Sequence, residues 1–159
     1  YVDGQMQDWS VRPNQIFAIA LDFSPLDIKE RKRILDICTR ELVTPKGVRS
    51  LSPKSGGYNP LYVGQQTQRD FAYHNGTAWP WLTGFYLEAY LRIYKMSGVN
   101  FIERQLIGFE EELFYHCVGT IPELFDGNPR FSGRGAISFA MNVSGLLRAI
   151  NILDKYTRE

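Results

Sequence analysis

This sequence is short of most features that announce a function. Among its 159 residues there are only two cysteines, Cys38 and Cys117, and two histidines. The cysteines lie far apart in apolar helical contexts, which predicts buried reduced thiols rather than a disulfide or a metal pair. Charge of one sign is lacking too, since 18 Lys and Arg against 17 Asp and Glu leave a formal net charge of +1. That balance offers neither the basic surface a nucleic acid needs nor the polybasic patch an anionic membrane attracts. No apolar run approaches the ~20 residues of a membrane span, and no secretory signal pattern is visible. The first residue is Tyr1 rather than a methionine, so the natural N-terminus is expected to lie elsewhere. No repeat of solenoid length is evident, and no run alternates convincingly enough to predict a strand. The triplets Asn75-Gly-Thr and Asn142-Val-Ser match a glycosylation pattern that is common by chance, and both are discounted.

What remains is helical periodicity and aromatic-rich loops. The length suits one domain over residues 1–159 with a real core. A first helix is expected over 13–21, with Pro13 in its first turn. A second begins at Ser24-Pro25-Leu26-Asp27, with Ser24 as cap, and carries the stripe Ile34, Leu35, Cys38 and Leu42. The third, over 78–96 and capped by Thr77, repeats Leu82, Phe85, Tyr86, Ala89, Tyr90 and Ile93 at three- and four-residue spacing. A fourth covers 100–117 and a fifth 136–155. The third and fourth are joined by few residues, which predicts an antiparallel pair. The fold class expected is all-α.

The connections carry the chemistry. Residues 47–76 and 118–135 form stretches longer than a compact domain keeps without a use. Aromatic residues make up 14% of the chain, and many sit here beside Gly, Pro and Asn. In the second stretch Pro122 restricts the backbone before Glu123, and Leu124 and Phe125 are apolar neighbours for that carboxylate. Asp126 has a structural explanation as a turn residue beside Gly127. The first stretch runs Arg69-Asp-Phe-Ala-Tyr-His-Asn-Gly-Thr-Ala-Trp-Pro-Trp81. It offers donors, acceptors and stacking faces together, the set that recognises a hydroxyl-rich neutral ligand. For His74 two readings stay open, a ligand contact or a cap on the following helix. Trp81, one turn before Phe85, reads as core.

These residues also carry a resemblance. Val11-Arg-Pro-Asn-Gln15, Thr44-Pro-Lys-Gly-Val-Arg-Ser-Leu51, the 69–81 stretch and Ile121-Pro-Glu-Leu-Phe-Asp-Gly127 occur in an order that resembles the C-terminal amylo-α-1,6-glucosidase domain of glycogen debranching enzymes. The likeness extends over nearly the whole chain, and Ala72-Tyr-His-Asn-Gly-Thr-Ala-Trp-Pro-Trp81 is its most specific part. The resemblance implies an (α/α)6 toroid, of which this chain would be roughly the C-terminal half of a glucoamylase-like barrel. It implies an inverting hydrolysis of the α-1,6-linked glucose at a trimmed glycogen branch, without a metal or organic cofactor.

On that resemblance Glu123 is the general base. Asp70, His74, Asn75 and Trp79 belong to the sugar-binding surface, with Arg12, Asn14, Gln15 and Asp126 as further members. The family's general acid resembles an upstream Asp that this chain lacks, so the chain alone is expected to be inactive. The implied partners are an α-glucan and the missing N-terminal half of the same domain. Unpartnered helix faces predict self-association, and the implied location is cytoplasmic. Two other classes stand beside this reading: a non-catalytic glucan-binding helical domain, and a helical interaction module whose loops only fill its core.

Overall fold

The expected helices are present with shifted ends in a computed structural model that describes residues 2–4, 6–116 and 118–158. A small hairpin, β1 (Val2–Asp3) with β2 (Met6–Gln7), comes first. Helix α1 (Asn14–Ala20) follows Pro13 and buries Ile16, Ile19 and Ala20. Helix α2 (Ile28–Glu41) is capped by Asp27, not by Ser24. Asp27 Oδ1 accepts the Glu30 N–H at 2.8 Å, and Glu30 Oε2 accepts the Asp27 N–H at 2.9 Å. This reciprocal pair satisfies two otherwise orphaned donors. Ser24 Oγ accepts from the Leu26 N–H instead, in the turn before the helix.

A five-stranded antiparallel sheet overturns the all-α expectation, and with it the half toroid of helices. Its strands, in spatial and chain order, are β3 (Val43–Thr44), β4 (Gly47–Arg49), β5 (Ala78–Trp79), β6 (Leu124–Phe125) and β7 (Gly133–Arg134). The architecture is helix-rich but mixed. The physical reason for the miss is length: strands of two or three residues cannot display the alternation over four to eight on which a strand reading rests. Three of them, β4, β6 and β7, are cut from the two long connections, and the β4–β5 and β5–β6 pairs join residues far apart in sequence. Val48 faces Trp79, Ala78 faces Phe125, and Leu124 faces Arg134. The first connection also contains a helix, α3 (Gln66–Tyr73). Ala72 is its one fully buried residue, so it had no apolar stripe to betray it.

The third expected helix starts three residues late, as α4 (Trp81–Tyr94). Ala78 and Trp79 are taken by the sheet, and Thr77 does not cap. Its hydroxyl donates to the Tyr73 carbonyl at 2.7 Å. A 3-10 turn (Lys95–Gly98) leads to α5 (Val99–Glu110), then the single turn α6 (Glu112–Tyr115), and the chain closes with α7 (Ala140–Arg158). α4 and α5 meet where Tyr90 stacks on Phe101 at 4.5 Å. The main partner of α4, however, is α7.

The two helices cross at Gly84 and Gly145, and a Cβ on Gly145 would stand 2.5 Å from Trp81 Cα. Tyr86 is fully buried at the centre, its hydroxyl 2.8 Å from Thr39 Oγ1 on α2. Cys38 is a free buried thiol pushed up to about 12 by burial, which keeps it unreactive; Cys117 lies outside the described residues. Among those residues no helix is long and apolar enough to cross a membrane.

Candidate functional site

The site is built where α3 ends and the chain turns into β5. His74 stands at the C-terminus of α3, and Arg12 holds that end in place. Its guanidinium donates to the carbonyls of His74 at 2.8 Å and Ser50 at 3.3 Å, and to Asn75 Oδ1 at 3.2 Å. Asn75 Nδ2 donates back to the Phe71 carbonyl at 2.8 Å. Gly76 makes the turn at φ +147°, with Asn59 backbone where a Cβ would be. The turn brings three rings together. His74 stacks on Trp79 with centroids 5.2 Å apart and planes 20° apart. Tyr73 meets Trp79 edge-on at 4.9 Å, and Trp79 Nε1 donates to the Tyr73 carbonyl at 3.2 Å and to Thr77 Oγ1 at 3.1 Å.

Glu123 sits just before β6, half-buried. Its carboxylate is held from both sides. Tyr73 donates its hydroxyl to Oε1 in a short hydrogen bond, and the Ala136 N–H donates to Oε2 at 2.9 Å. The backbone is held as well. The Glu123 N–H donates to the Ala136 carbonyl at 2.9 Å, and the buried Asn142 donates Nδ2 to the carbonyls of Pro122 at 2.5 Å and Glu123 at 2.6 Å. Gly135 lies against Oε2 so closely that a side chain there would displace it.

Beside this carboxylate opens a cleft of about 490 Å3, lined by Arg12, Asn14, Tyr73, His74, Trp79 and Phe139 among others. Burial, and secondarily the Arg12 charge, hold the His74 imidazole below its ordinary value, so at neutral pH it is an uncharged donor and acceptor. Trp79 is only 5% exposed. With His74 lying over the indole, the imidazole is the more open of the two stacked rings. A larger cleft, about 540 Å3, lies between α5 and α7 and is lined mainly by apolar side chains, with Glu103, Glu110 and Thr120 as its polar members.

The cleft brings together Arg12, Asn14, His74 and Trp79 from the expected set, with Asn75 tied to Arg12 behind it. It does not gather the others. Gln15, on α1, and Asp70, exposed on α3, are not among its lining residues. Asp126 is buried and engaged: Oδ1 accepts the Tyr62 N–H at 2.9 Å, and Oδ2 accepts Arg134 Nε at 3.0 Å and its terminal nitrogen at 2.8 Å. The residues missed by sequence reasoning are Tyr73, Ala136, Phe139 and Asn142. Tyr73 alone had a signal, its place directly before His74 in the most specific motif.

Fold and site together define a helix-rich mixed protein whose short central sheet presents one buttressed carboxylate next to an aromatic, polar cleft. The chain belongs to the amylo-alpha-1,6-glucosidase family, which matches residues 1–148. It is also similar to the glycogen debranching enzyme of Saccharomyces cerevisiae, 36% identical over 92 residues, an overlap of 53% of this chain and 6% of the yeast protein. The chain thus spans a small part of that relative's length. The resemblance carried by the loop motifs is borne out.

Proposed function

We propose that this chain supplies the water-activating side of an inverting α-1,6-glucosidase site acting on branch stubs of an α-glucan. The observation that carries the reading is Glu123, a carboxylate buttressed on both oxygens beside a cleft lined by Arg12, Asn14, His74 and Trp79. Membership of the amylo-alpha-1,6-glucosidase family and the likeness to a glycogen debranching enzyme support it. Inversion needs two carboxyls about 6.5–9.5 Å apart across the scissile bond. Glu123 takes a proton from water as the water oxygen attacks the anomeric carbon. The bond to the glycosidic oxygen breaks, and a carboxylic acid on the other face protonates that oxygen.

Asp126 is a poor candidate for the second role. It is buried in an ion pair with Arg134, and both its oxygens are already taken, Oδ1 by the Tyr62 N–H and Oδ2 by the guanidinium. The proton donor is assigned to polypeptide outside these residues, which leaves the isolated chain inactive. His74 and Asn14 provide hydrogen-bonding groups for sugar hydroxyls at the cleft, with Trp79 behind. Asn75, Asp70, Gln15 and Asp126 act on the ligand only indirectly, through the loops they belong to. A cytoplasmic setting goes with a glucan substrate.

The test follows the product anomer. The natural full-length protein is given a maltooligosaccharide bearing one α-1,6-linked glucose, and the first-formed sugar is observed by proton NMR. β-Glucose released first, with none from the isolated 159-residue chain, is the expected result. α-Glucose released first, or no glucose at all, overturns the reading.

The apolar cleft between α5 and α7 exposes Ile107, Leu147 and Ile150 to solvent. Such a face usually finds another surface, so the isolated chain is expected to self-associate. Light scattering after size exclusion should give a mass above 18.3 kDa; a monodisperse monomer counts against this.

A further inference from the structure

We propose that Tyr73 is a positioning residue for this reaction: its hydroxyl sets which oxygen of Glu123 faces the cleft and in what direction. The inference rests on the reading of Glu123 as the base. Its starting point is an asymmetry. Tyr73 lines the cleft, whereas Glu123 is not among the lining residues and stands behind the tyrosine hydroxyl. Tyr73 is thus the residue that links Glu123 to the cleft.

The two oxygens of Glu123 are not equivalent. Oε2 accepts the Ala136 N–H at 2.9 Å and is walled by Gly135. Oε1 accepts the Tyr73 hydroxyl. A carboxylate has about four acceptor positions, so Oε1 keeps one free after Tyr73 has bound, and it is the oxygen on the tyrosine side. A carboxylate tied only at Oε2 could rotate about its terminal torsion, which is broad for glutamate. The second tie removes that freedom.

Tyr73 is itself held rigidly. Its ring is packed against Trp79 at 4.9 Å, His74 at 4.6 Å and Tyr62 at 5.8 Å, and its carbonyl accepts from Thr77 Oγ1 at 2.7 Å and from Trp79 Nε1 at 3.2 Å. The donor direction is also settled. Burial first, then the neighbouring carboxylate, raise the phenol well above its ordinary value, so it stays protonated and donates. The aromatic cluster at the end of α3 thereby holds a ligand wall on one side and aims the carboxylate on the other.

Tyr73→Phe tests this, because it removes one oxygen and leaves the ring packing in place. In the natural full-length protein, kcat for glucose release should fall roughly 10- to 100-fold, the scale of a catalytic group misplaced by about 1 Å. KM should stay within about twofold, and tryptophan titration with maltoheptaose should give an unchanged Kd. The discriminating arm is the double variant. In a Glu123→Gln background, Tyr73→Phe should lower the residual rate by less than about twofold, since it acts only through the carboxylate.

A kcat for Tyr73→Phe equal to wild type, with Glu123→Gln inactive, overturns the positioning role alone. So does a loss of equal size in both backgrounds, or a loss carried by KM. Full turnover in Glu123→Gln overturns the base assignment and this inference with it. Should Tyr73→Phe melt at a lower temperature, the same comparison between backgrounds still decides, because a fold defect lowers the rate in both.

Discussion

Glu123→Gln in the natural full-length protein is expected to slow glucose release on the order of 10²- to 10⁴-fold, the contribution of a general base, while glucan affinity changes by less than about threefold. The separation of the two effects follows from what the amide keeps. Its carbonyl oxygen can still accept the Ala136 N–H, now at 2.9 Å from Oε2. Its NH2 then faces Tyr73, whose hydroxyl accepts as readily as it donates. The backbone anchors do not involve the side chain, so Asn142 continues to hold the Glu123 carbonyl. The loop survives and only the basicity is lost. Glucose release is measured with a branched maltooligosaccharide, and affinity by tryptophan titration. Near-wild-type release removes Glu123 from the chemistry. Joint loss of release and affinity shows instead that the carboxylate was holding the loop.

How much of this site was legible depends on how locally each contact is encoded. Glu123 and His74 could be singled out because each sits in a short, unusual string of residues with constrained backbone. The chemistry of Asp126 could not be read so directly. Its neighbours Gly127 and Pro129 suggest a turn, but its partners Tyr62 and Arg134 come from both sides in sequence. Only the fold shows that its charge is already paired. Arg12 illustrates the opposite case. The resemblance named it as a site residue and it lines the cleft, yet its guanidinium is spent mainly on the carbonyls of Ser50 and His74 and on Asn75. Its role is to hold the end of α3 in place as well as to line the cleft.

The fold divides in the same way. α1, α2, α4, α5 and α7 announced themselves through apolar spacing, because each packs one stripe on a shared core. The sheet did not. Val48 and Leu124 read as isolated apolar residues in long loops, and Trp79 as the start of a helix; they become a layer only when β4, β5 and β6 meet. Strand pairs this short have no stability of their own; their register is imposed by the helices that bring them together. α3 was hidden for a related reason. It exposes most of its surface, and its ends are held by side chains such as Arg12 and Gln68, which accepts the Gln65 N–H at 2.8 Å. The long loops are therefore a second layer of regular structure, and the site lies within it.

Asn142→Leu is expected to destabilise the folded chain by on the order of 3 kcal/mol or more, a large share of the ~5–15 kcal/mol that holds a typical domain together. Asn142 is fully buried at the start of α7 and joins three segments. Nδ2 serves the carbonyls of Pro122 and Glu123, and Oδ1 accepts the Trp81 N–H at 3.0 Å. Trp81 is the first residue of α4, where backbone donors lack helical partners. Leucine fills similar space but leaves one donor and two acceptors buried without partners, each costing roughly 1–3 kcal/mol. Asn142→Asp should be worse at neutral pH, because it retains the acceptor for Trp81 while turning a negative oxygen toward two carbonyls. Protonating that aspartate restores one donor, so the Asp variant should recover stability as pH falls, whereas the Leu variant should not. Urea titrations of both variants at pH 7 and pH 5 test the argument. If Asn142→Leu unfolds at the wild-type urea concentration, the bracket contributes nothing; if it is the weak point, the loop carrying Glu123 loses its anchor to both α4 and α7 in one substitution.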